Sequence, residues 1–238
     1  MFLASKKLPV ETQPETEPVF RRVAEEHHAP ISFADQHYHI GRIEDYTTEL
    51  TGEYQKKNIA TVLQAVDVLR SNSGFRIQDS ELQRGLARVV TNTHLHGRWQ
   101  TIGTAPLTIC ETAHNEPGIR AMMDKLKTMS FHRLHLIYGC VNDKDFTHIL
   151  QLLNTSLSTL HSSLIWYFSQ PSVPRRLPVA NLQAAAHQIG IDGQAYENVG
   201  DAIRAARAAA NPDDFVLVTG SIFLIADALN ATDNIDMD

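Results

Sequence analysis

The sequence contains neither of the common phosphate-gripping loops. G-x-x-x-x-G-K-[ST] is absent, no glycine is followed by lysine, and no G-x-G-x-x-G follows a strand-like run. G-x-S-x-G is absent too, which excludes the nucleophile elbow of the α/β-hydrolases. Only two cysteines occur, Cys110 and Cys140. They form no C-x-x-C pair and sit in or just after apolar runs, the pattern of reduced core thiols. No stretch approaches the roughly 20 apolar residues of a membrane span. The start, Met-Phe-Leu-Ala-Ser-Lys-Lys, carries its charge after the apolar residues, unlike a signal peptide. The cytoplasm is the expected location. A formal net charge of -6 argues against a broad electrostatic grip on nucleic acid or an anionic membrane. The 12 histidines are scattered. His94-x-His96 lacks a third ligand at metal spacing, so no metal site is expected. His27-His28 and His37-x-His39 read as surface features.

What is present is an ordinary globular composition, 43% hydrophobic and 20% charged. The first third mixes helix and strand. Pro14 to His28 reads as a helix with Val19, Phe20, Val23 and Ala24 on one face. Ile31 to Ala34 reads as a short strand, and Gln36 to Thr48 as a hairpin or irregular ribbon. Ile59, Val62, Leu63, Val66 and Leu69 then follow helical spacing. Asp79 is the expected N-cap of a helix running to about Val90.

From there strands and helices alternate. The strands are Pro106 to Cys110, Arg133 to Tyr138, Leu164 to Phe168 and Phe215 to Thr219. The helices between them include one bearing Ile119, Met122, Met123 and Leu126, and one bearing Phe146, Ile149, Leu150 and Leu153. Others are Val179 to Ile189, Asp201 to Ala210 and Ser221 to Ala231. This rhythm predicts an α/β fold, a mostly parallel Rossmann-like sheet with helices on both faces. The domain boundary falls near residues 93–97, giving units 1–95 and 96–238.

In such sheets ligands gather at the carboxyl ends of the strands. The first candidate loop, Glu111-Thr112-Ala113-His114-Asn115, brings a carboxylate, an imidazole and an amide together. Asn115 can cap the next helix, whose N-terminus suits an anion, and the loop reads equally as a plain cap after a strand. Asp143-Lys144-Asp145 suits a helix start on dipole grounds alone. Gly220-Ser221 joins the last strand to the last helix, with the serine a natural cap. Arg98, just after Gly97, is well suited to phosphate contact.

The order of these pieces says more than any one of them. Leu50-Thr-Gly-Glu-Tyr-Gln55-Lys-Lys-Asn58-Ile-Ala60 is followed by Gly97-Arg98-Trp99-Gln100 and Ile109-Cys-Glu111-Thr-Ala-His114-Asn115. Then come Asn142-Asp-Lys-Asp145, Pro174-Arg175-Arg176 and Val218-Thr-Gly220-Ser221. The series, from about residue 30 to 230, resembles the folylpolyglutamate synthase/dihydrofolate synthase family of the Mur ligase superfamily. One departure is that Glu111-Thr112 stands where the family usually has Asp-Gly before Ala-His-Asn.

The resemblance implies an ATP-dependent, ADP-forming ligase that joins L-glutamate to dihydropteroate or a folate through an acyl phosphate. It implies that residues 1–95 are the tail of a P-loop ATPase domain and 96–238 the C-terminal α/β domain. Asn58 would contact adenine, Arg98 the phosphates or ribose, and Glu111 the nucleotide. His114 would lie near the transferred phosphate or the incoming glutamate, with Ser221 in the same region. Mg2+ ligands are expected in an N-terminal half that this sequence lacks, and the chain alone is expected to be inactive. A peptidoglycan-type Mur ligase and a non-catalytic nucleotide-binding α/β module are the alternatives.

Overall fold

The central strands of the second half, Leu107–Glu111, Arg133–Gly139 and Phe215–Gly220, are buried along nearly their whole length, as a sheet covered on both faces requires. The computed structural model describes residues 8–10, 15–38, 43, 45–50, 54–73, 75–142, 146–160 and 163–233. The chain divides into two units, Met1–Leu95 and His96–Asp238. Gly41, His39, the Thr51–Glu53 stretch and Asp143–Asp145 lie outside the described residues. None of the described helices is long and apolar enough to cross a membrane.

The first unit comprises β1 (Leu8–Val10), α1 (Glu17–Glu26), β2 (Ile31–Phe33), a 3-10 turn (Ala34–Gln36), α2 (Tyr54–Ser73), α3 (Asp79–Ala87) and α4 (Val89–Thr93). β1 and β2 pair in parallel as a two-stranded sheet. Its core gathers Ala34, Ile43, Ile59, Ala60, Leu63, Val66 and Leu82. Two expectations need correction here. The cap of α3 is Gln78, not Asp79. Glu81 reaches back to the Gln78 N–H at 2.8 Å, and Asp79 pairs with Arg70 instead. The helix expected to reach Val90 breaks at Arg88, where φ is -127° and ψ 32°. On α1, Ala24 is buried while Val19, Phe20 and Val23 are exposed.

The second unit carries a six-stranded sheet. Its strands are β3 (Gln100–Thr104), β4 (Leu107–Glu111), β5 (Arg133–Gly139), β6 (Ser163–Phe168), β7 (Gly193–Ala195) and β8 (Phe215–Gly220). The order is β3-β4-β8-β5-β6-β7, and all pairs but β3–β4 are parallel. The helices are α5 (Glu116–Leu126), α6 (Phe146–Leu157), α7 (Val179–Gln188), α8 (Val199–Ala209) and α9 (Ile222–Asp233). The expected α/β architecture is therefore the one observed, with two short edge strands added. β3 makes a hairpin with β4, and β7 closes the far edge.

The core lies in two layers. Ile109, Leu134, Leu136, Tyr138, Phe215 and Leu217 face α5, α6 and α7 through Met122, Leu126, Leu150, Leu153 and Leu182. Their sequence neighbours Cys110, Ile137, Val216 and Val218 face α8 and α9 through Ile203, Ala206, Leu224 and Ile225. Helices on both faces leave the strands buried throughout, so their carboxyl ends are the open edge available to a ligand.

A polar cluster also lies beneath the sheet. Asp214 is fully buried and accepts two hydrogen bonds from Arg133, at 3.0 and 2.7 Å, and one from the Asn211 N–H at 2.7 Å. His135, also fully buried, has Nδ1 2.9 Å from the Tyr167 hydroxyl and Nε2 3.5 Å from Asp214. Burial opposes ionising Asp214, but the Arg133 guanidinium and Asn211 N–H overcome it and hold the carboxyl well below the carboxylate range. Burial pulls His135 down from its ordinary value of 6.5 despite Asp214.

Candidate functional site

β4 delivers Glu111 to the sheet edge, and a four-residue loop carries the chain into α5. Asn115 starts that helix: its side chain accepts the Gly118 N–H at 2.9 Å, Pro117 fits the first turn, and Glu116 suits the dipole. The loop thus makes the cap read from sequence and also holds His114 at the edge. His114 Nδ1 is 2.9 Å from the Thr112 carbonyl oxygen. A carbonyl can only accept, so in this bond Nδ1 carries the proton, and in the neutral ring the lone pair is then on Nε2.

Backbone contact draws the neighbouring strand ends together. Gly220 has φ of 120°, and a Cβ there would lie 2.2 Å from the Gly139 carbonyl oxygen. Only glycine meets both demands. A Cβ on Gly139 would lie 2.4 Å from the Ser169 oxygen. Ser221 follows, with its N–H on Gly139 O at 3.0 Å and its hydroxyl accepting from the Phe223 N–H at 3.2 Å.

Between these loops lies a cavity of about 170 Å³, lined in part by His114, Tyr138, Cys140, Arg175, Ser221 and Phe223. The loops after β5 and β6 are zipped by Asn142 N–H to Arg175 O at 2.9 Å and Leu177 N–H to Cys140 O at 3.0 Å. Arg175 lies over the Phe223 ring, 4.7 Å from its centroid. Cys110 is a core thiol as expected, and burial pushes it up to about 12. Cys140 is not: it is half-buried and lines the cavity, because β5 ends one residue before it. A larger groove of about 740 Å³ runs past Ser172, Asn198, Arg204 and Asp227. Several of its polar groups are joined to protein partners, Ser172 to Asp227 and both Asn198 and Arg204 to Asp201. The cavity at His114 is the better candidate.

Arg98 and Glu111 come together at 3.9 Å. Glu111 accepts the Trp99 N–H at 2.8 Å, and the Thr112 N–H donates to Gly97 O at 3.0 Å. The Gly97–Gln100 turn, with Gly97 at φ 77° and Trp99 at φ 50°, is thereby strapped to the end of β4. A Cβ on Gly97 would meet Ile225 at 2.8 Å, so glycine is required there as well. Burial raises the Glu111 carboxyl, while the Trp99 N–H and Arg98 pull it back. Lys125 sits 4.3 Å from the Trp99 ring centroid, and burial lowers its ammonium.

Four of the five residues singled out from sequence thus lie in the second unit: His114 and Ser221 on one cavity, Arg98 beside Glu111. Asn58 belongs to the first unit, on α2, where its amide donates to Gln55 Oε1 at 2.8 Å. Arg175, Cys140 and Phe223 line the cavity with no role read from sequence. Pro174-Arg175-Arg176 was visible as a motif, but only the zipped loops bring it to His114. Among the described residues no three His, Cys, Asp or Glu side chains are grouped to hold a metal.

A mostly parallel sheet with helices on both faces and a cavity at its carboxyl edge defines a Rossmann-like α/β domain. Residues 97–222 match the profile of the Mur ligase, glutamate ligase domain, and the chain belongs to that family. Folylpolyglutamate synthase of Lacticaseibacillus casei is 29% identical over 184 residues, 77% of this chain and 40% of that protein. Dihydrofolate synthase/folylpolyglutamate synthase of Bacillus subtilis is 25% identical over 236 residues, 91% of this chain and 52% of that protein. E. coli FolC in complex with ADP superposes with a TM-score of 0.71 at 22% identity, covering 94% of this chain and 53% of that one. Mycobacterium tuberculosis folylpolyglutamate synthase complexed with ADP and AMPPCP gives a TM-score of 0.74 at 21% identity, over 95% and 55%. These structural likenesses establish the fold. The chain spans about half the length of the relatives it matches.

Proposed function

We propose that the chain forms the C-terminal part of an ATP-dependent ligase that adds L-glutamate to dihydropteroate or a folate. One observation carries the reading. In a member of the Mur ligase glutamate ligase family, His114 and Ser221 line one cavity at the sheet's carboxyl edge, and the Arg98–Glu111 pair lies at the end of β4.

In this reaction a substrate carboxylate oxygen attacks the γ-phosphorus of ATP and ADP leaves. The amine of glutamate then attacks the acyl phosphate carbon, phosphate departs, and the nitrogen loses a proton. Catalysis of this kind is mainly positioning and charge stabilisation. Arg98 supplies positive charge towards the phosphates, and Glu111 orients it through their 3.9 Å pairing. His114 Nε2, left as an acceptor by the Nδ1 bond to Thr112, suits the incoming ammonium. Ser221 bounds the same cavity, and Asn58 is assigned to adenine. Residues 1–95 act as the tail of the ATPase domain. The Mg2+ needed for phosphoryl transfer is assigned, as the resemblance implies, to ligands in the P-loop half.

The test joins this chain to the P-loop-bearing half of the Lacticaseibacillus casei relative. The fusion releases ADP only when glutamate and a folate are both present, and this chain alone releases none. In the fusion, His114→Ala or Arg98→Ala lowers kcat about a hundredfold. ADP release by the fusion that ignores folate and glutamate overturns the reading, as does substrate-dependent release by this chain alone.

A further inference from the structure

The loop between β6 and α7, residues 169–178, passes beside the His114 cavity and carries Arg175. Its later part is held by main-chain bonds to the loop after β5. Asn142 N–H donates to Arg175 O at 2.9 Å, Leu177 N–H donates to Cys140 O at 3.0 Å, and Val141 and Arg176 form an isolated antiparallel bridge. Such bonds fix the course of the backbone at Arg175 but not the place of its side chain.

The earlier part of the loop is held differently. Ser172 gives both of its donors to one carboxylate: its N–H lies 2.6 Å from Asp227 Oδ2 and its hydroxyl 2.8 Å from Asp227 Oδ1. Bonds to an ionised acceptor are roughly twice as strong as neutral ones, and a two-pronged grip also fixes orientation. Asp227 stands on α9 four residues after Phe223, so the two side chains leave the same face of that helix about one turn apart. Phe223 holds the Arg175 guanidinium 4.7 Å from its ring centroid, and Asp227 grips the same loop at Ser172. α9 also begins just after Ser221, which lines the cavity. One helix therefore supplies a wall of the cavity, the platform under Arg175 and the anchor of the loop that delivers it.

Val141, Phe146, Ile149 and Ile222 make much of the cavity wall apolar, and among the described residues that line it only Arg175 is permanently charged. A carboxylate that leaves water for such a wall needs a cation already in place. We propose that Asp227 is a positioning residue: its clamp on Ser172 holds Arg175 over Phe223 at the cavity, and so sets the affinity for the carboxylate of the incoming amino acid. The inference rests on the ligase reading and adds to it a residue that acts on substrate only through the loop.

Two measurements test it. In this chain, trypsin cleavage after Arg175 and Arg176 is followed by mass spectrometry, and Asp227→Ala is cut there about tenfold faster than the wild type while its tryptophan fluorescence is unchanged. In the fusion with the P-loop-bearing half of the Lacticaseibacillus casei relative, Asp227→Ala raises the KM for glutamate about tenfold with kcat little changed. Arg175→Ala raises that KM about thirtyfold, and the double variant is no worse than Arg175→Ala alone, because the clamp then has nothing to place. Asp227→Asn keeps one acceptor for Ser172 and falls between Asp227→Ala and the wild type. A loss of folding alone lowers the amount of active enzyme, and with it the apparent kcat, but leaves KM where it was. If Asp227→Ala loses the wild-type fluorescence, the same comparisons are made with Asp227→Asn and Ser172→Ala, each of which removes one prong of the clamp. The proposal fails if the clamp variants are cut no faster than the wild type, if the loop is freed and KM does not move, or if the effects of Asp227→Ala and Arg175→Ala multiply as independent changes do. A wild-type fusion that releases no ADP in response to folate and glutamate overturns the ligase reading and this role with it. That result is read on the wild type alone, whereas the others compare variants, so the two failures are told apart.

Discussion

The two units are built from similar elements and finished to different degrees. Of the eight large hydrophobic side chains exposed among the described residues, seven belong to the first unit and only Ile222 to the second. The first unit gathers one small core under α2, whereas the second closes two layers on a six-stranded sheet. Polar interactions divide in the same way. Those of α1 are exposed pairs such as Arg22–Glu26, of the kind worth little. The second unit buries Asp214 and His135 completely, with Arg133 and the Asn211 N–H both on Asp214 Oδ2 and the Tyr167 hydroxyl on His135 Nδ1. A unit that closes its own core can hold site residues by itself. One that leaves an apolar arc open buries less of its own apolar surface.

The sharpest way to break this comparison is to open a cavity in each core. Both tryptophans, Trp99 and Trp166, belong to the second unit, so their fluorescence reports that unit alone. Leu217 is fully buried between layers, and Leu217→Ala lowers the stability read by fluorescence in urea by about 4 kcal/mol. Leu63→Ala, in the first unit's core, leaves that transition in place. Equal shifts from both variants would mean that the units unfold as one body.

Asp214 tests the buried polar cluster. Replacing it with Asn leaves Arg133 without its charge partner and costs about 3 kcal/mol in the same measurement. The pH dependence has a definite sign. His135 and Asp214 both have folded values below their ordinary ones, 6.5 and 3.8. The unfolded chain therefore binds more protons in both windows, and stability falls as pH drops below about 6.5 and again below about 3.8. Glu111 runs the other way, since burial raises it above 4.5 and its contribution fades as pH rises through that region. In the wild type the fluorescence midpoint declines on acidification, and in Asp214→Asn the step at the lowest pH disappears. A wild-type midpoint that rises on acidification would contradict the assignment.

The legible parts of the molecule were those where one strand or helix carries its own signal. Arg133 to Tyr138 carries Leu134, Leu136, Ile137 and Tyr138 in a short apolar stretch, and the Ile119, Met122, Met123 and Leu126 spacing marks a buried helix face; both stand where expected. β3 was not legible. Gln100-Thr-Ile-Gly-Thr has no clean alternation, and pairing with β4 through a register shift near Thr101 and Gly103 makes it a strand. Asp79 misled because the helix begins with a reciprocal bond between Gln78 and Glu81, which a cap preference for Asp does not anticipate. At the site, the Glu111 to Asn115 loop was readable because it is one strand end and one helix cap. Arg175 and Cys140 were not, since their place depends on loops from two strands being zipped together. The apolar arc of α1 was visible as a pattern, but periodicity alone does not say which of its residues are buried.

The smallest effect compares how the two units start their helices. Asn115 caps α5 through its side chain, and the same loop carries His114. Thr16 precedes α1 with no side-chain cap bond, at φ of -102° and ψ of -23° rather than in an extended conformation. Asn115→Ala removes an acceptor from the Gly118 N–H and lowers the fluorescence-detected stability by about 1 kcal/mol. Thr16→Ala costs less than that in circular dichroism of the whole chain, because no cap bond is lost. The fusion with a P-loop half separates stability from site geometry. If the cap fixes the His114 loop, Asn115→Ala raises the KM for glutamate, and Asn115→Asp, which keeps an acceptor oxygen for the Gly118 N–H, restores it. A loss of stability with KM unmoved would make Asn115 a helix cap and nothing more, and would leave the Nδ1 bond to Thr112 as the feature that orients His114.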